Sequence, residues 1–192
     1  MKRIFVLGLA VSCLSLIINA QSFTNEDLVF SVGTGFGYAS WGGDHYSISY
    51  PPIGVIIEQG VYEKTGPGYF GLGAYAGLAG SRYRLTTGGV TYGSNYTYLT
   101  LGGRGAYHLD MNEALESSDF DNIDMYLGLQ VNLVFIGHRY IGDYPGYEAS
   151  GGLDFYPGLF VGARYYIKEN IAAFAEFGYN ATFLTLGFSI KM

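Results

Sequence analysis

The stretch GLDFYPGLFVGARYYIKENIAAFAEFGYNATFLTLGFSIKM, residues 152–192, alternates between two kinds of side chain along three successive runs of strand length. The breaks between the runs fall at Lys168-Glu169-Asn170 and at Tyr179-Asn180. Strict alternation predicts β-strands with one apolar face. In the last run, one side carries Thr182, Leu184, Leu186, Phe188, Ile190 and Met192, and the other carries Phe183, Thr185, Gly187, Ser189 and Lys191.

The two faces of this predicted sheet differ in chemistry. The face opposite the apolar one carries glycine, Arg164, Glu176 and Lys191, and no helical segment is available to cover the apolar face. We therefore expect the apolar face to contact lipid. The alternative is a soluble exported β-sandwich, but such a fold would place polar residues at most alternate outward positions.

The composition supports a curved sheet. The 192 residues include 30 Gly, 19 Tyr and 13 Phe, with 14% charged residues. Glycine without a G-X-Y period excludes collagen, and the aromatic content argues against disorder. Small inward residues and aromatic girdles are typical of a membrane β-barrel.

The amino terminus has the pattern of a secretory signal peptide. Met1-Lys2-Arg3 precedes an uncharged apolar run, residues 4–18, and Ala20 marks the expected cleavage site. An uncleaved anchor helix and lipidation at Cys13 are the alternatives. The run is shorter than the ~20 residues that span a bilayer, and lipidation would leave an apolar mature start. We predict a signal peptide at residues 1–20 and a single domain at 21–192.

The mature chain is acidic and contains no further apolar run. Cleavage removes Lys2 and Arg3 and no acid, so the formal charge changes from −6 to −8. This charge disfavours nucleic acid as a partner. No later stretch reaches ~18 apolar residues, and closed β-barrels are the other way to cross a bilayer.

The full chain predicts an all-β protein: an eight-stranded antiparallel up-and-down transmembrane β-barrel with both termini in the periplasm. Long connections at 40–52, 84–94 and 137–151 are expected outside, and short turns at 63–68 and 168–170 inside. The acidic connection 110–121 breaks this rule, and a helical turn is expected around residues 112–116. The predicted strands lie at about 27–39, 53–62, 69–83, 95–109, 123–136, 152–167, 171–179 and 182–192.

Four charged residues are predicted to point into the lumen: Glu58, Arg104, Arg164 and Glu176. An eight-stranded barrel is barely wide enough for its own side chains, so these charges must pair. A three-residue turn at 169–171 would set Arg164 opposite Glu176. The sequence predicts a buried Arg/Glu network that plugs the lumen, either as structural filling, which we favour, or as a gate.

Aromatic residues concentrate near strand ends and in the outer connections. At strand ends we expect interfacial belts. Five residues in the outer connections fit either belts or a recognition surface, namely Trp41, Tyr46, Tyr92, Tyr144 and Tyr147.

No catalytic, metal or cofactor site is expected. Asp44-His45, or His138 with Asp143, could build a loop-borne catalytic site, but neither histidine has a serine at a diagnostic spacing, and no H-E-x-x-H motif is present. His108 is predicted to point inward on the fourth strand. The glycines of residues 33–37 lack the following helix that a phosphate site needs, and we expect them to leave room inside the barrel.

The carboxyl-terminal block resembles a known family. GLFVGARYY at 158–166, AEFGY at 175–179 and LGFSIKM at 186–192 are similar to small outer-membrane β-barrel proteins of Bacteroidetes-type bacteria, the porin family, distantly similar to OmpA and OmpX barrels. The resemblance implies an outer-membrane location in contact with outer-membrane lipid. It also implies a terminal assembly signal read by the barrel-assembly machinery, at Phe188, Ile190 and Met192.

The functional expectation is an integral outer-membrane barrel without catalysis, which acts structurally or through its outer loops. A narrow porin-like channel for ions or small solutes is the alternative, and a lipid-modifying barrel enzyme is the third hypothesis. The surface ligand is not specified by any motif.

Overall fold

The structure, a computed structural model, describes residues 23–37, 45–116, 120–141, 151–179 and 182–192, so the predicted signal peptide lies outside the described residues. Eight antiparallel strands form one closed barrel in chain order. One short helix, α1 (Met111–Leu115), joins β4 to β5. The strands are β1 (Leu28–Phe36), β2 (Tyr46–Gly60), β3 (Gly68–Thr87), β4 (Val90–Leu109), β5 (Ile123–Ile141), β6 (Gly152–Lys168), β7 (Ile171–Tyr179) and β8 (Leu184–Lys191).

The barrel closes between its first and last strands. Val29 of β1 lies opposite Lys191 of β8, and Phe36 lies opposite Leu184. Every neighbouring pair is antiparallel, which confirms the predicted up-and-down topology. We call the end of the barrel near Phe23 and Met192 the terminal end, and the other end the far end. Among the described residues, no helix is long and apolar enough to cross a membrane.

The predicted inward and outward faces are confirmed along most strands. In β5 the inward Tyr126, Gln130 and Asn132 are buried, while the outward Leu127 and Leu129 are 58% and 65% exposed. The core of this protein is therefore the lumen. Its outer surface is the apolar one, because the alternation of a strand places successive side chains on opposite faces.

Glycines make room for large rings inside the lumen. A β-carbon at Gly162 would overlap the ring of Tyr126, and one at Gly33 would lie 2.9 Å from the ring of Phe174. Large rings on one strand thus pack against glycines on other strands, which allows them to fit in the narrow lumen of an eight-stranded barrel.

Four strands are longer at the far end than the sequence predicted. β2 begins at Tyr46 rather than at residue 53, and β5 continues to Ile141 rather than to residue 136. The register of β2 against β3 shifts twice between Ile48 and Ile53, where Pro51 and Pro52 lack the N–H that a regular ladder requires. We call the part of the sheet above this level, residues 45–52, 79–98 and 136–141, the extension.

The predicted long connection at 84–94 was wrong, because β3 and β4 continue through it. Thr87 lies opposite Val90, and the strands are joined by Gly88 and Gly89 alone. Both glycines have positive φ, 63° and 82°. Positive φ at both central residues is the backbone of a type I′ hairpin turn, whose twist matches that of the flanking strands.

Smaller corrections concern strand ends. β1 ends at Phe36 rather than near residue 39, and β2 ends at Gly60 rather than at residue 62. Thr182 is buried and Phe183 is 45% exposed, opposite to the predicted faces. Both precede β8, and the Thr182 hydroxyl shares a 2.7 Å hydrogen bond with that of Thr185, which holds Thr182 inward.

The expected helical turn in the acidic connection is α1. Asp110 caps it by accepting a hydrogen bond from the N–H of Glu113, and its carboxylate lies 2.8 Å from Lys64. Partial burial alone would raise the pKa of Asp110, but the hydrogen bonds from Lys64 and from the backbone N–H groups outweigh it, so the pKa is lowered. The cap and the ion pair join two turns at the terminal end.

The positive φ of the Gly88-Gly89 turn can be tested by substitution. A β-carbon at Gly89 or at Gly103 would meet nothing within 4 Å, but only Gly89 of the two has a φ in the left-handed region. Gly89→Ala should therefore lower the free energy of unfolding by about 1 kcal/mol, the cost of holding a β-carbon in that region. Gly103→Ala, the matched control, should not lower it. Urea unfolding in detergent micelles measures both, and equal effects would contradict the turn geometry.

Candidate functional site

Six ionisable side chains meet inside the lumen, toward the terminal end. They come from five strands, which brings together groups that are far apart in the chain. Each is no more than 5% exposed. We call this cluster the ion network: Glu58 of β2, Arg104 and His108 of β4, Asp124 of β5, Arg164 of β6 and Glu176 of β7.

Glu58 is the centre of the ion network, because all three cationic groups approach it. Its Oε2 accepts a 3.2 Å hydrogen bond from Nε of Arg104, and its Oε1 accepts one of 2.9 Å from Nη2 of Arg164. Nε2 of His108 lies 2.9 Å from the same Oε1, without the alignment of a hydrogen bond. One carboxylate thus links strands on opposite sides of the barrel.

Arg104 also holds the second glutamate. Its Nη2 and Nη1 donate to the two carboxylate oxygens of Glu176 at 2.8 and 3.5 Å, a two-pronged contact. The hydroxyl of Tyr126 donates a longer bond of 3.4 Å to Glu176. Arg104 therefore connects Glu58 and Glu176 into one chain of ion pairs.

Asp124 closes a ring of contacts with Arg164, His108 and Glu58. Its carboxylate accepts a hydrogen bond of 2.9 Å from Nη1 of Arg164 and lies 2.8 Å from Nδ1 of His108. Both ring nitrogens of His108 thus face carboxylate oxygens, which can accept but not donate. The arrangement suits the doubly protonated imidazolium. In that form three cations balance three carboxylates, as an interior without water requires.

Aromatic rings cover the charges on several sides. The guanidinium of Arg104 lies 4.0 Å from the ring centre of Phe160, and that of Arg164 lies 4.6 Å from that of Tyr126. Phe23 stacks on His108 with ring centres 3.8 Å apart and is 1% exposed. The segment before β1 thereby covers the ion network from the terminal end.

One detail of the predicted network was wrong. Arg164 lies opposite Phe174, and Glu176 lies opposite Gly162, so these two charges are not partners. The turn contains two residues rather than three, since Lys168 pairs with Ile171, and an irregularity before Lys168 shifts the register further.

Two members of the ion network were missed by the sequence reasoning. Asp124 lies on the same face of β5 as the inward residues Tyr126 and Gln130. An acidic residue on this face could therefore have been predicted to point into the lumen. His108 was placed inward, but it was not connected with the predicted charges. Strand parity alone therefore places both residues inward, at the level of the predicted charges.

The extension carries tyrosines on its inner face. Tyr46, Tyr83, Ser94 and Tyr140 lie opposite one another across four strands, so their side chains form one row on one face. Tyr92 lies opposite Leu85 in the row above, and Tyr96 lies opposite Ser81 in the row below. An open cavity of about 540 Å³, which we call the tyrosine cup, is lined by Tyr46, Tyr83, Leu85, Tyr92, Gly93, Ser94, Tyr96 and Tyr140.

Of the other predicted positions, some lie among the described residues and some lie outside them. Tyr46 and Tyr92 both line the tyrosine cup, while Trp41, Tyr144 and Tyr147 lie outside the described residues. Phe188, Ile190 and Met192 point outward and are 64%, 48% and 68% exposed.

The histidines pack on aromatic neighbours. His138 stacks on Tyr96 with ring centres 4.7 Å apart, and the ring of His45 meets Tyr83 edge-on at 6.0 Å. The partners Asp44 and Asp143, considered for a catalytic site, lie outside the described residues. Within the described part of the chain, no group of three His, Cys, Asp or Glu residues could hold a metal ion.

Comparison with known proteins finds several similar solved structures, which include the following two. The attachment invasion locus protein Ail of Yersinia pestis, in complex with the heparin analogue sucrose octasulfate, is 7% identical with a TM-score of 0.45, over 86% of this chain and 97% of that one. The N-terminal β-barrel domain of Pseudomonas aeruginosa OprF is 15% identical with a TM-score of 0.38, over 88% and 98%. No protein-family model and no curated protein matches the sequence.

The ion network predicts a large effect of neutralising its centre. Glu58→Gln removes the carboxylate that faces three cations, and breaking a buried ion pair from one side costs about 3–5 kcal/mol. We expect a clearly lower midpoint in urea unfolding. The control, Glu63→Gln, changes an exposed glutamate in the next turn and should leave the midpoint unchanged. Equal midpoints for the two variants would show that the network does not hold the barrel together.

Proposed function

We propose that this protein is an integral outer-membrane barrel whose lumen is closed and which acts at the cell surface through its extension and outer loops. The observation that carries the proposal is the combination of an apolar outer surface with an interior that holds paired charges. This is the reverse of a water-soluble protein, in which the apolar side chains lie inside.

The height of the apolar surface supports a membrane location. The outward residues of β5 are apolar at every position from Met125 to Phe135. At a rise of about 3.3 Å per residue and a tilt of about 40°, ten steps cover about 25 Å, the height of the lipid-facing band of such barrels. Closure of β1 on β8 leaves no strand edge within this band, as a bilayer requires.

We propose that the terminal end lies in the periplasm and the far end outside. The connections at the terminal end include the short turns at residues 61–67 and 169–170. The extension, formed by the longer ends of β2 to β5, belongs to the far end. Short periplasmic turns and larger outer structures are the usual asymmetry of outer-membrane barrels. Export through the cleaved signal peptide at 1–20 belongs to the same proposal.

A closed lumen favours a surface role over a channel. The ion network crosses the barrel from β2 to β6 and from β4 to β7. Its groups are neutralised by one another, so no charge is left to attract a permeating ion. We therefore propose that the network is structural filling, and that the exposed far end carries the function without catalysis.

The last strand is proposed as the assembly signal. Phe188, Ile190 and Met192 form an outward apolar series at the end of β8, accessible before the barrel closes. The similarity to Bacteroidetes-type porin-family barrels, in which a terminal Phe has this role, supports the same proposal. The partners would be the barrel-assembly machinery and outer-membrane lipid.

The membrane proposal is tested by fractionation and electrophoresis. The protein should be recovered with the outer membrane, and its unboiled form should migrate differently from the boiled form because the closed barrel resists detergent. Recovery in the soluble periplasm, or the absence of a heat-dependent shift, would overturn the proposal.

Conductance in planar bilayers separates filling from gating. The native barrel should give no steady conductance, and Arg164→Leu should give none either while it keeps the heat-dependent shift. The reason is that Tyr126, Phe160 and Arg104 still occupy the lumen at this level. Steady conductance of the native protein would support the channel, and conductance of the folded variant alone would show that the network is a gate.

The assembly proposal predicts that the carboxyl-terminal residue matters for insertion. Met192→Phe should assemble at least as well as the native chain, because a terminal aromatic residue matches the family signal. Met192→Asp should reduce the heat-shifted fraction, since it places a charge in the exposed apolar series. Lys168→Asp, an exposed change at another strand end, is the control. Equal yields for the two Met192 variants would contradict the assigned signal.

A further inference from the structure

We propose that the tyrosine cup binds a saccharide, with a pyranose ring stacked on its tyrosine side chains. This inference rests on the proposed surface role and names the class of ligand for it. The tyrosine cup lies on the inner face of the extension, above the level at which β1 and β6 pair with their neighbours. Its volume of about 540 Å³ lies within the range of small-molecule sites, roughly 300–1,000 Å³.

The rings of the tyrosine cup are positioned before any ligand arrives. The ring centres of Tyr46 and Tyr83 are 5.1 Å apart, and those of Tyr46 and Tyr96 are 6.4 Å apart. Tyr96 is stacked in turn on His138. Tyr46, Tyr83 and Tyr96 are therefore each held by a ring on a neighbouring strand. A rigid lining reduces the ordering cost of binding, which is how preorganised sites gain affinity.

The chemistry of the lining selects the class of ligand. A tyrosine offers a flat apolar face and a hydroxyl group, and it loses little side-chain entropy on binding. Ser94 adds a hydroxyl in the same row as Tyr83 and Tyr140. A pyranose has matching parts, because its C–H groups form an apolar face and its hydroxyls form a polar rim.

The lack of a carboxylate among the described residues of the extension argues against the other ligand that tyrosine cages take, a quaternary ammonium ion. Within its described residues the extension holds Arg82, Arg84 and Arg139 and no carboxylate. All three arginines take outward positions, on the face of the sheet opposite the tyrosines, and Arg84 donates from Nη1 to the backbone carbonyl oxygens of Tyr83 and Ser94, at 2.7 and 3.3 Å. The described lining of the tyrosine cup therefore offers no negative charge to attract a cation, and a neutral sugar needs none.

Saturation-transfer NMR on the full mature barrel tests the inference. Zwitterionic micelles are required, since sugar-based detergents would compete. The probes are maltose, lactose, N,N′-diacetylchitobiose and the delipidated core oligosaccharide of a bacterial lipopolysaccharide, with tetramethylammonium as the competing class. We expect saturation of the ring protons of at least one saccharide. Response to the core oligosaccharide alone would identify the cell's own surface glycan as the source, and response to the disaccharides would indicate a free or foreign glycan.

Variants connect the signal with the tyrosine cup. Tyr83→Ala and Tyr46→Ala should each weaken binding at least tenfold, while Tyr83→Phe should weaken it less, because the stacking face remains. Tyr46 is 39% exposed, so its replacement keeps a folded protein available if Tyr83→Ala is unstable. Tyr62→Ala, which changes a 66% exposed tyrosine at the terminal end, is the control and should leave binding unchanged.

The possible results separate this inference from the proposed function. A sample that keeps its heat-dependent shift but gives no transfer to any saccharide overturns the sugar site and leaves the membrane barrel intact. Transfer that persists in both alanine variants, or binding of tetramethylammonium in place of sugars, also overturns it. Loss of the heat-dependent shift in the native protein would instead contradict the barrel in the membrane.

Discussion

The narrowness of the lumen is the constraint on which the rest of this structure depends. Eight strands leave room for little more than their own side chains. Inward positions are therefore occupied mainly by glycines, by rings that fit against glycines, by polar groups with partners, and by compact aliphatic side chains such as Val29 and Ala106. Gly162 beside Tyr126 is an example of the second kind, and the ion network around Glu58 is an example of the third. The inward side chains must fit the lumen, and each buried charge must have a partner of opposite charge, because so narrow a space leaves no room for water to solvate it.

This constraint made much of the fold predictable. Within the proposed lipid-facing band, outward residues such as Leu127 and Leu129 are large and apolar, while glycines and polar residues occur mainly at inward positions. The parity of a strand could therefore be taken from its sequence, and with it the inward position of Glu58, Arg104, Arg164 and Glu176. Pairing among these charges could not be predicted in detail. It depends on the register of β6 against β7, which an irregularity before Lys168 changes without any mark in the sequence.

The extension was not predicted, for a physical reason. In the extension, which lies above the proposed lipid-facing band, Arg82, Asn95 and Arg139 take the outward positions, as an outer surface in water requires. The aromatic residues, such as Tyr83 and Tyr96, move to the inner face. In the extension, polar residues therefore face outward and aromatic residues face inward, the reverse of the pattern lower in the barrel. Because strands were predicted from outward apolar residues, this region was predicted as loop. The Gly88-Gly89 pair was the local signal that two strands continue and meet in a tight turn.

The ion network also has a consequence for the order of folding. Glu58 and Arg164 are 106 residues apart in the chain, and Arg104 and Glu176 are 72 apart. None of these contacts can form until late strands have curved round to meet early ones, because the paired groups lie across the lumen. A half-built sheet would hold carboxylates and guanidinium groups without partners, which lipid does not tolerate. In the proposed membrane location, the charges would therefore delay full insertion until the last strand is in place, because the step that closes the barrel is the step that neutralises them.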